Sequence, residues 1–260
     1  MTDTDRVSVT RTDGIAEVRL DRPEKRNAMD LATFDALAAA GAALKEDPDL
    51  RAVILHGAGE AFCAGIDLAE MAAMAARLPA LKAEMLAPPE GRPNRFQAPC
   101  TIWAELPVPV IAAVHGVAYG AGLQLALGAD IRILAPDARL SVMEARWGLI
   151  PDMGISQSLP RLMRADQALD LMLTARVVGA DEALALGLAT AIAADPLAEA
   201  RARAKACAAQ SPGVLTGAKR LVQAAWRTDP AALRLEAELQ AALIGSPDQV
   251  AAVMRGMRRG

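Results

Sequence analysis

An α/β fold is what this sequence predicts, and three observations predict it. Short runs of strand length, alternating or wholly apolar, recur through the first two thirds of the chain. Helical patterns lie between them, separated by turns rich in glycine and proline. From Leu197 onward the pattern is helical alone.

The elements follow in order. Val7 to Thr10 and Ile15 to Leu20 alternate around the turn at Asp13-Gly14 and read as a hairpin. DRPEKRNAMD is a loop, and Asp30 is placed to cap the helix LATFDALAAAGAALKED. AVILHG, from Ala52 to Gly57, reads as a buried strand, and GAGEAFCAGID is a second loop of small residues. A helix is expected over Leu68 to Arg77. The segment from Pro79 to Pro99 holds five prolines and mixed charge; it carries no clear periodicity and is expected to be an adaptable segment lying over another part of the molecule. Cys100 to Leu106 reads as a short helix. Ile131 to Leu134 and Arg139 to Val142 read as strands, and WGLIPDMG as a turn. Ser158 to Thr174 is expected to be helical in one or two pieces, Asp181 to Leu186 a short helix, and Leu188 to Ala193 a strand. LAEARARAKACAAQ, PGVLTGAKRLVQAAW, PAALRLEAELQAALIG and PDQVAAVMRGM then form four amphipathic helices. The expected division is residues 1–195 as a core of strands and helices and 196–260 as a helical region of the same structural unit.

Composition narrows the function classes. The chain has 260 residues, enough for a sizeable core, and is 53% hydrophobic and 23% charged. A net charge of −3 provides no basic field for nucleic acid. The three cysteines, Cys63, Cys100 and Cys207, form neither a disulfide framework nor a metal pattern. The N-terminus lacks the pattern of a signal peptide, and no run is apolar enough for a membrane helix, so a cytoplasmic location without membrane contact is expected.

The chain is organised around Pro109 to Asp130, PVIAAVHGVAYGAGLQLALGAD. An apolar strand feeds a turn with Gly116, Gly120 and Gly122, and a helix begins. Backbone N–H groups and a helix dipole there favour a developing negative charge. There is no G-x-G-x-x-G after the strand, which argues against a dinucleotide-dependent oxidoreductase.

Four segments stand out together: RPEKRNAMD, AFCAGIDL, HGVAYGAGLQLALGADIRI and MEARWGLIPDMG. In this order and spacing the chain resembles the crotonase, or enoyl-CoA hydratase/isomerase, superfamily. That resemblance implies a spiral of β-β-α turns with a C-terminal helical trimerisation region, assembled as a homotrimer or a dimer of trimers. It implies an acyl-CoA thioester as substrate and no separate cofactor, because coenzyme A is part of that substrate.

Proton transfer beside a thioester carbonyl builds charge on its oxygen, and fixed N–H donors stabilise the enolate. By resemblance the two donors are the backbone N–H groups of Ala64 and Ala121; family members commonly have glycine at the second position, and alanine serves if its φ is negative. Hydratases of this family use two carboxylates, whose positions here hold Gln124 and Glu144. Gln124 cannot ionise, though it can position water or substrate. Asp152 follows Glu144 by eight residues, and the family's dienoyl-CoA isomerases use a Glu and an Asp at this spacing, with a third acid where this chain has Gln124. Helix N-capping is the competing role for Asp152. Lys25 and Arg26, together with Ala64, Gly65, Ile66, Asp67, Leu68 and Gly120, fall where the family binds CoA or substrate. Asp67 is expected to fix its loop. Lys219, Arg255, Arg258 and Arg259 are further candidates for a CoA phosphate. Packing, not nucleophilic chemistry, is expected of Cys63, and neither His56 nor His115 has a metal-ligand spacing.

The reading that follows is double-bond isomerisation by Glu144 with Asp152. Enoyl-CoA hydration by Glu144 with Gln124 holding water is the alternative, and a non-catalytic CoA-thioester binding protein is the alternative of another class.

Overall fold

The computed structural model describes residues 6–227, 229–230 and 232–257. The chain opens with strands β1 (Val7–Thr12) and β2 (Ile15–Leu20), helix α1 (Leu31–Lys45) and strand β3 (Ala52–Gly57). Three helices follow: α2 (Leu68–Ala75), α3 (Leu78–Leu86) and α4 (Ala98–Glu105). Then come β4 (Val110–Val114), β5 (Val117–Tyr119), α5 (Ala121–Gly128), β6 (Ile131–Leu134) and β7 (Arg139–Ser141). Beyond a 3-10 turn at Glu144–Trp147 lie α6 (Ile155–Ser158), α7 (Ala165–Thr174), β8 (Val178–Gly179), α8 (Ala180–Ala185) and β9 (Ala191–Ile192). Helices α9 (Pro196–Ala208), α10 (Pro212–Ala225), α11 (Ala232–Leu243) and α12 (Pro247–Met257) end the described chain.

The strands form two sheets. The larger has the order β1-β2-β3-β4-β6-β9, antiparallel at β1–β2 and parallel elsewhere; the smaller is β5-β7-β8. Isolated bridges extend the smaller set, Cys63 to Ala118 and Met29 to Ile66. The chain thus places one strand in each sheet and then a helix, turn after turn, which is the expected spiral.

Every residue of β3 and β4 is buried. Side-chain alternation divides them between two cores. Val53, Leu55, Val110, Ala112 and Val114 face the main core. Ala52, Ile54, Ile111 and Ala113 face α9, where the small Ala200 and Ala204 let the helix lie close to the sheet.

Asp30 caps α1 as expected, its Oδ1 accepting from the Thr33 N–H at 2.9 Å. The Pro79–Pro99 segment is more ordered than its composition implies. It contains most of α3 and the start of α4, with prolines only in their first turns, where a missing N–H is harmless. Between them Asn94 is buried, its Oδ1 accepting from the Phe96 and Gln97 N–H groups at 2.9 Å. Phe96 meets Phe34 of α1 edge-on, with centroids 6.1 Å apart. Proline marks these helix starts, so its abundance hid the helices.

The RPEKRNAMD loop is stapled to its neighbour by Asn27. This residue is buried, its Oδ1 accepts from the Arg22 N–H, and its Nδ2 donates to the carbonyls of Ala58 and Ala61 at 2.8 and 2.7 Å. It also adopts φ 56°, a backbone region asparagine tolerates better than most residues. Asn27→Ala leaves those groups without their partner and is expected to lower stability by about 2–3 kcal/mol, read as a lower Tm or denaturant midpoint.

Candidate active site

The two small-residue loops meet through their backbones. Phe62 and Cys63 donate to the carbonyls of His115 and Val117, and Tyr119 donates back to the Cys63 carbonyl, at 2.9, 3.0 and 3.1 Å. Gly122 makes this contact possible, since a Cβ there would lie 2.4 Å from the Cys63 carbonyl oxygen. Gly120, at φ 49°, turns the chain into α5. Ala121 is the first residue of that helix, so its N–H has no carbonyl one turn back to bond. Its backbone is helical, so the methyl group brings no strain.

Ala64 is corrected by the same geometry. Its N–H donates to the Arg26 carbonyl at 2.9 Å and is not available to a substrate oxygen. Two residues on, Ile66 is bridged in parallel to Met29: Met29 donates to the Gly65 carbonyl at 2.7 Å, and Asp67 donates to the Met29 carbonyl at 2.8 Å. In such a bridge the residue between the two bonds turns its own N–H to the opposite side. The Ile66 N–H therefore faces away from the Met29 strand and makes no backbone hydrogen bond among the described residues. The motif's spacing alone does not distinguish these two amides; their bonds to the first loop do.

Glu144 begins the 3-10 turn, and its carboxyl lies against the glycine turn: a Cβ on Gly120 would sit 3.3 Å from Glu144 Oε1. That oxygen accepts from Gln124 Nε2 at 2.7 Å. The other, Oε2, is inaccessible to solvent and has no hydrogen-bond partner among the described residues. The residue as a whole is half-buried, and its Oε2 is the shielded atom. Burial pushes the Glu144 carboxyl up to about 7, against the opposing effect of hydrogen bonds including that from Gln124.

Asp152 is 8% exposed and caps no helix; α6 begins after Gly154 with no side-chain cap. Burial raises it well above the usual carboxylate range, and the charges of Glu236 and Glu144 raise it further. Gln124 joins Glu144 to the turn that carries Asp152: while Nε2 holds Glu144, its Oε1 accepts from the Met153 N–H at 2.8 Å. Two buried acids whose charges act on one another can hold a proton on one member and accept one on the other.

A family model, enoyl-CoA hydratase/isomerase, matches residues 10–259. The chain belongs to the enoyl-CoA hydratase/isomerase family. It is 35% identical over 218 residues to the mouse mitochondrial Delta(3,5)-Delta(2,4)-dienoyl-CoA isomerase, a match spanning 79% of this chain and 64% of that protein's length. Among solved structures it resembles an enoyl-CoA hydratase/isomerase from Mycobacterium paratuberculosis, with 27% identity, TM-score 0.87 and coverage of 97% of this chain and 98% of the other. It also resembles the enoyl-CoA hydratase of Bacillus anthracis, with 30% identity, TM-score 0.76 and coverage of 98% and 96%.

The other candidate residues of this family member divide clearly. Lys25 and Arg26 are exposed on the first loop, and Leu68 is exposed at the start of α2. Asp67 fixes its loop: it caps α2 through the Ala69 N–H at 3.0 Å and pairs with Arg22 at 2.9 Å. Lys219 is a correction. It is buried, paired with Asp130 at 2.7 Å, and donates to the carbonyls of Trp103 and Val108 at 3.0 Å, so it fastens α10 to the core and is not available to a phosphate. Arg255 is exposed on α12, while Arg258 and Arg259 lie outside the described residues. Cys63 is packed, and burial pushes its thiol up to about 12, which leaves it a poor nucleophile.

A cavity of about 750 Å³ approaches this site from α4 and α10, lined at one end by Gln124, Gly154 and Leu233 and further out by Val222 and Trp226. Ile66, Ala121 and Glu144 do not line it, so it lies beside the loop junction and not at it.

Removing the amide at position 124 has a defined sign. Gln124→Leu takes away a hydrogen bond that favours ionised Glu144, so the Glu144 carboxyl titrates at higher pH. The acidic limb of the kcat/KM profile is expected to move up, with a larger loss at pH 6 than at pH 9.

Proposed function

We propose that the protein is an acyl-CoA enzyme that moves a double bond by proton transfer. The observation that carries this reading is the pair of buried acids, Glu144 and Asp152, beside a Gln124 that cannot ionise. The 35% identical relative named as a dienoyl-CoA isomerase supports it. The thioester oxygen is held by the N–H groups of Ile66 and Ala121, and the dipole of α5 adds to their effect. Glu144 removes a proton from the acyl chain, charge develops on the thioester oxygen, and Asp152 returns a proton at the far end of the conjugated system. CoA runs along Lys25, Arg26 and the backbone from Ala64 to Leu68. The exposed apolar residues Leu221, Trp226, Val250 and Met254 of the C-terminal region support self-association as a trimer or a pair of trimers.

The test is to incubate the purified protein with a crotonyl-type thioester and, separately, with 3-enoyl and dienoyl thioesters. Migration of the double bond is expected. Rapid hydration of the crotonyl thioester without migration would instead assign a hydratase in which Gln124 holds water. Glu144→Gln is expected to lower kcat by about 10²–10⁴-fold; unchanged activity would point to a binding protein.

The same variant separates chemistry from stability. The Glu144 carboxyl is raised from 4.5 to about 7 in the folded protein. The stability that its bound proton contributes is full below the unfolded value and is lost as pH rises through about 7. At pH 8 Glu144→Gln is therefore expected to raise Tm while activity falls.

A further inference from the structure

The C-terminal helix α11 delivers a third buried acid to the same place. Glu236 is 6% exposed. Its Oε2 accepts from the Gly154 N–H at 2.9 Å and from Gln97 Nε2 at 3.2 Å, and its Oε1 accepts from the Ser156 N–H at 2.8 Å. Asp152 immediately precedes the residues so held. Met153 is fastened by Gln124 on one side, and Gly154 by Glu236 on the other. The backbone that carries Asp152 is therefore clamped between the active-site amide and the C-terminal helix.

The clamp is also electrostatic. Burial raises both Glu236 and Asp152, but the donors around Glu236 favour its charged form. Asp152 has only its own backbone amide acting in that direction. The charged groups acting on Asp152 are Glu236 of α11 and Glu144 of the 3-10 turn, and no cation among the described residues opposes them. The Cys100 thiol of α4 belongs to the same cluster and is held protonated by burial and by all three acids. The three carboxyls do not converge as metal ligands would. Glu144 Oε2 is buried and has no hydrogen-bond partner among the described residues.

We propose that Glu236 is a positioning residue for the proton-transfer pair: it fastens the turn carrying Asp152 and keeps a negative charge against that side chain, making Asp152 the resting acid and Glu144 the resting base. This inference rests on the isomerase reading above and adds to it the residue that sets the direction of proton transfer.

The test is the pH–rate profile of Glu236→Gln with a dienoyl thioester. The basic limb, where Asp152 loses its proton, is expected to move down by about one pH unit with the like charge gone. The acidic limb and KM are expected to hold. A basic limb that does not move overturns the proposal. Because an amide at 236 turns one N–H against another, the unmodified protein provides a second measurement. With ¹³C-carboxyl-labelled aspartate, and the Asp152 signal assigned through Asp152→Asn, Asp152 is expected to remain protonated at a pH where Glu144 has ionised; ionisation in the ordinary aspartate range overturns the proposal. The two readings fail separately. If Glu144→Gln and Asp152→Asn abolish isomerisation while Glu236→Gln leaves the profile unmoved, only the role of Glu236 falls. If Glu144→Gln is fully active, the isomerase reading falls, and the carbon signal of Asp152, compared between the unmodified protein and Glu236→Gln, still decides whether Glu236 holds Asp152 protonated.

Discussion

The site depends on one contact, the backbone of residues 62–66 lying directly against the turn at residues 119–122. Strand-like hydrogen bonds join the two segments, and Gly122 leaves room for Cys63 where any side chain would collide. Asn27 and Arg22 then tie the first loop to the second, through the Ala58 and Ala61 carbonyls and through Asp67. The Ile66 and Ala121 amides are therefore positioned by sheet geometry and not by rotamers. Donors fixed in this way need no reorganisation when charge develops opposite them, which suits them to the oxyanion role proposed for them.

The acids follow the opposite logic. Amides are valuable because they are fixed; carboxyls are valuable because their ionisation can be displaced. Glu144 and Asp152 are buried with no cation paired to them among the described residues, so burial and like charge are relieved by retaining protons. A carboxylate at position 124 would add like charge to this group. Gln124 instead donates to Glu144 and keeps it near neutrality, where a group can both accept and release a proton at working pH. The departure from the hydratase pattern is thus coherent with the rest of the site.

Much of this was legible in the chain before folding was considered. The alternating hairpin, the apolar strands around β3 and β4, the Asp30 cap and the glycine turn are local signals, and each appears where its pattern places it. Family motifs identified Glu144, Asp152 and Gln124 as members of one site. What escaped was non-local. Whether Ala64 or Ile66 presents a free amide is decided by bridges to Arg26 and Met29, which no motif spacing records. Lys219 reads as a solvated helix charge until Asp130 and the carbonyls of Trp103 and Val108 surround it. Glu236 sits in an ordinary amphipathic helix, and its partners Gly154 and Ser156 are 82 and 80 residues earlier. The helix α3 was hidden by prolines that mark helix starts.

The central claim is that two backbone amides and a buried acid pair converge on one thioester. A crystal structure with a slowly reacting dienoyl-CoA analogue tests it most directly. The account predicts the thioester oxygen at about 3 Å from both the Ile66 and Ala121 nitrogens, with the Glu144 and Asp152 carboxyls beside the two ends of the conjugated system. An oxygen held by Ala64, or an acyl chain with neither carboxyl within reach of its reacting carbons, would contradict it.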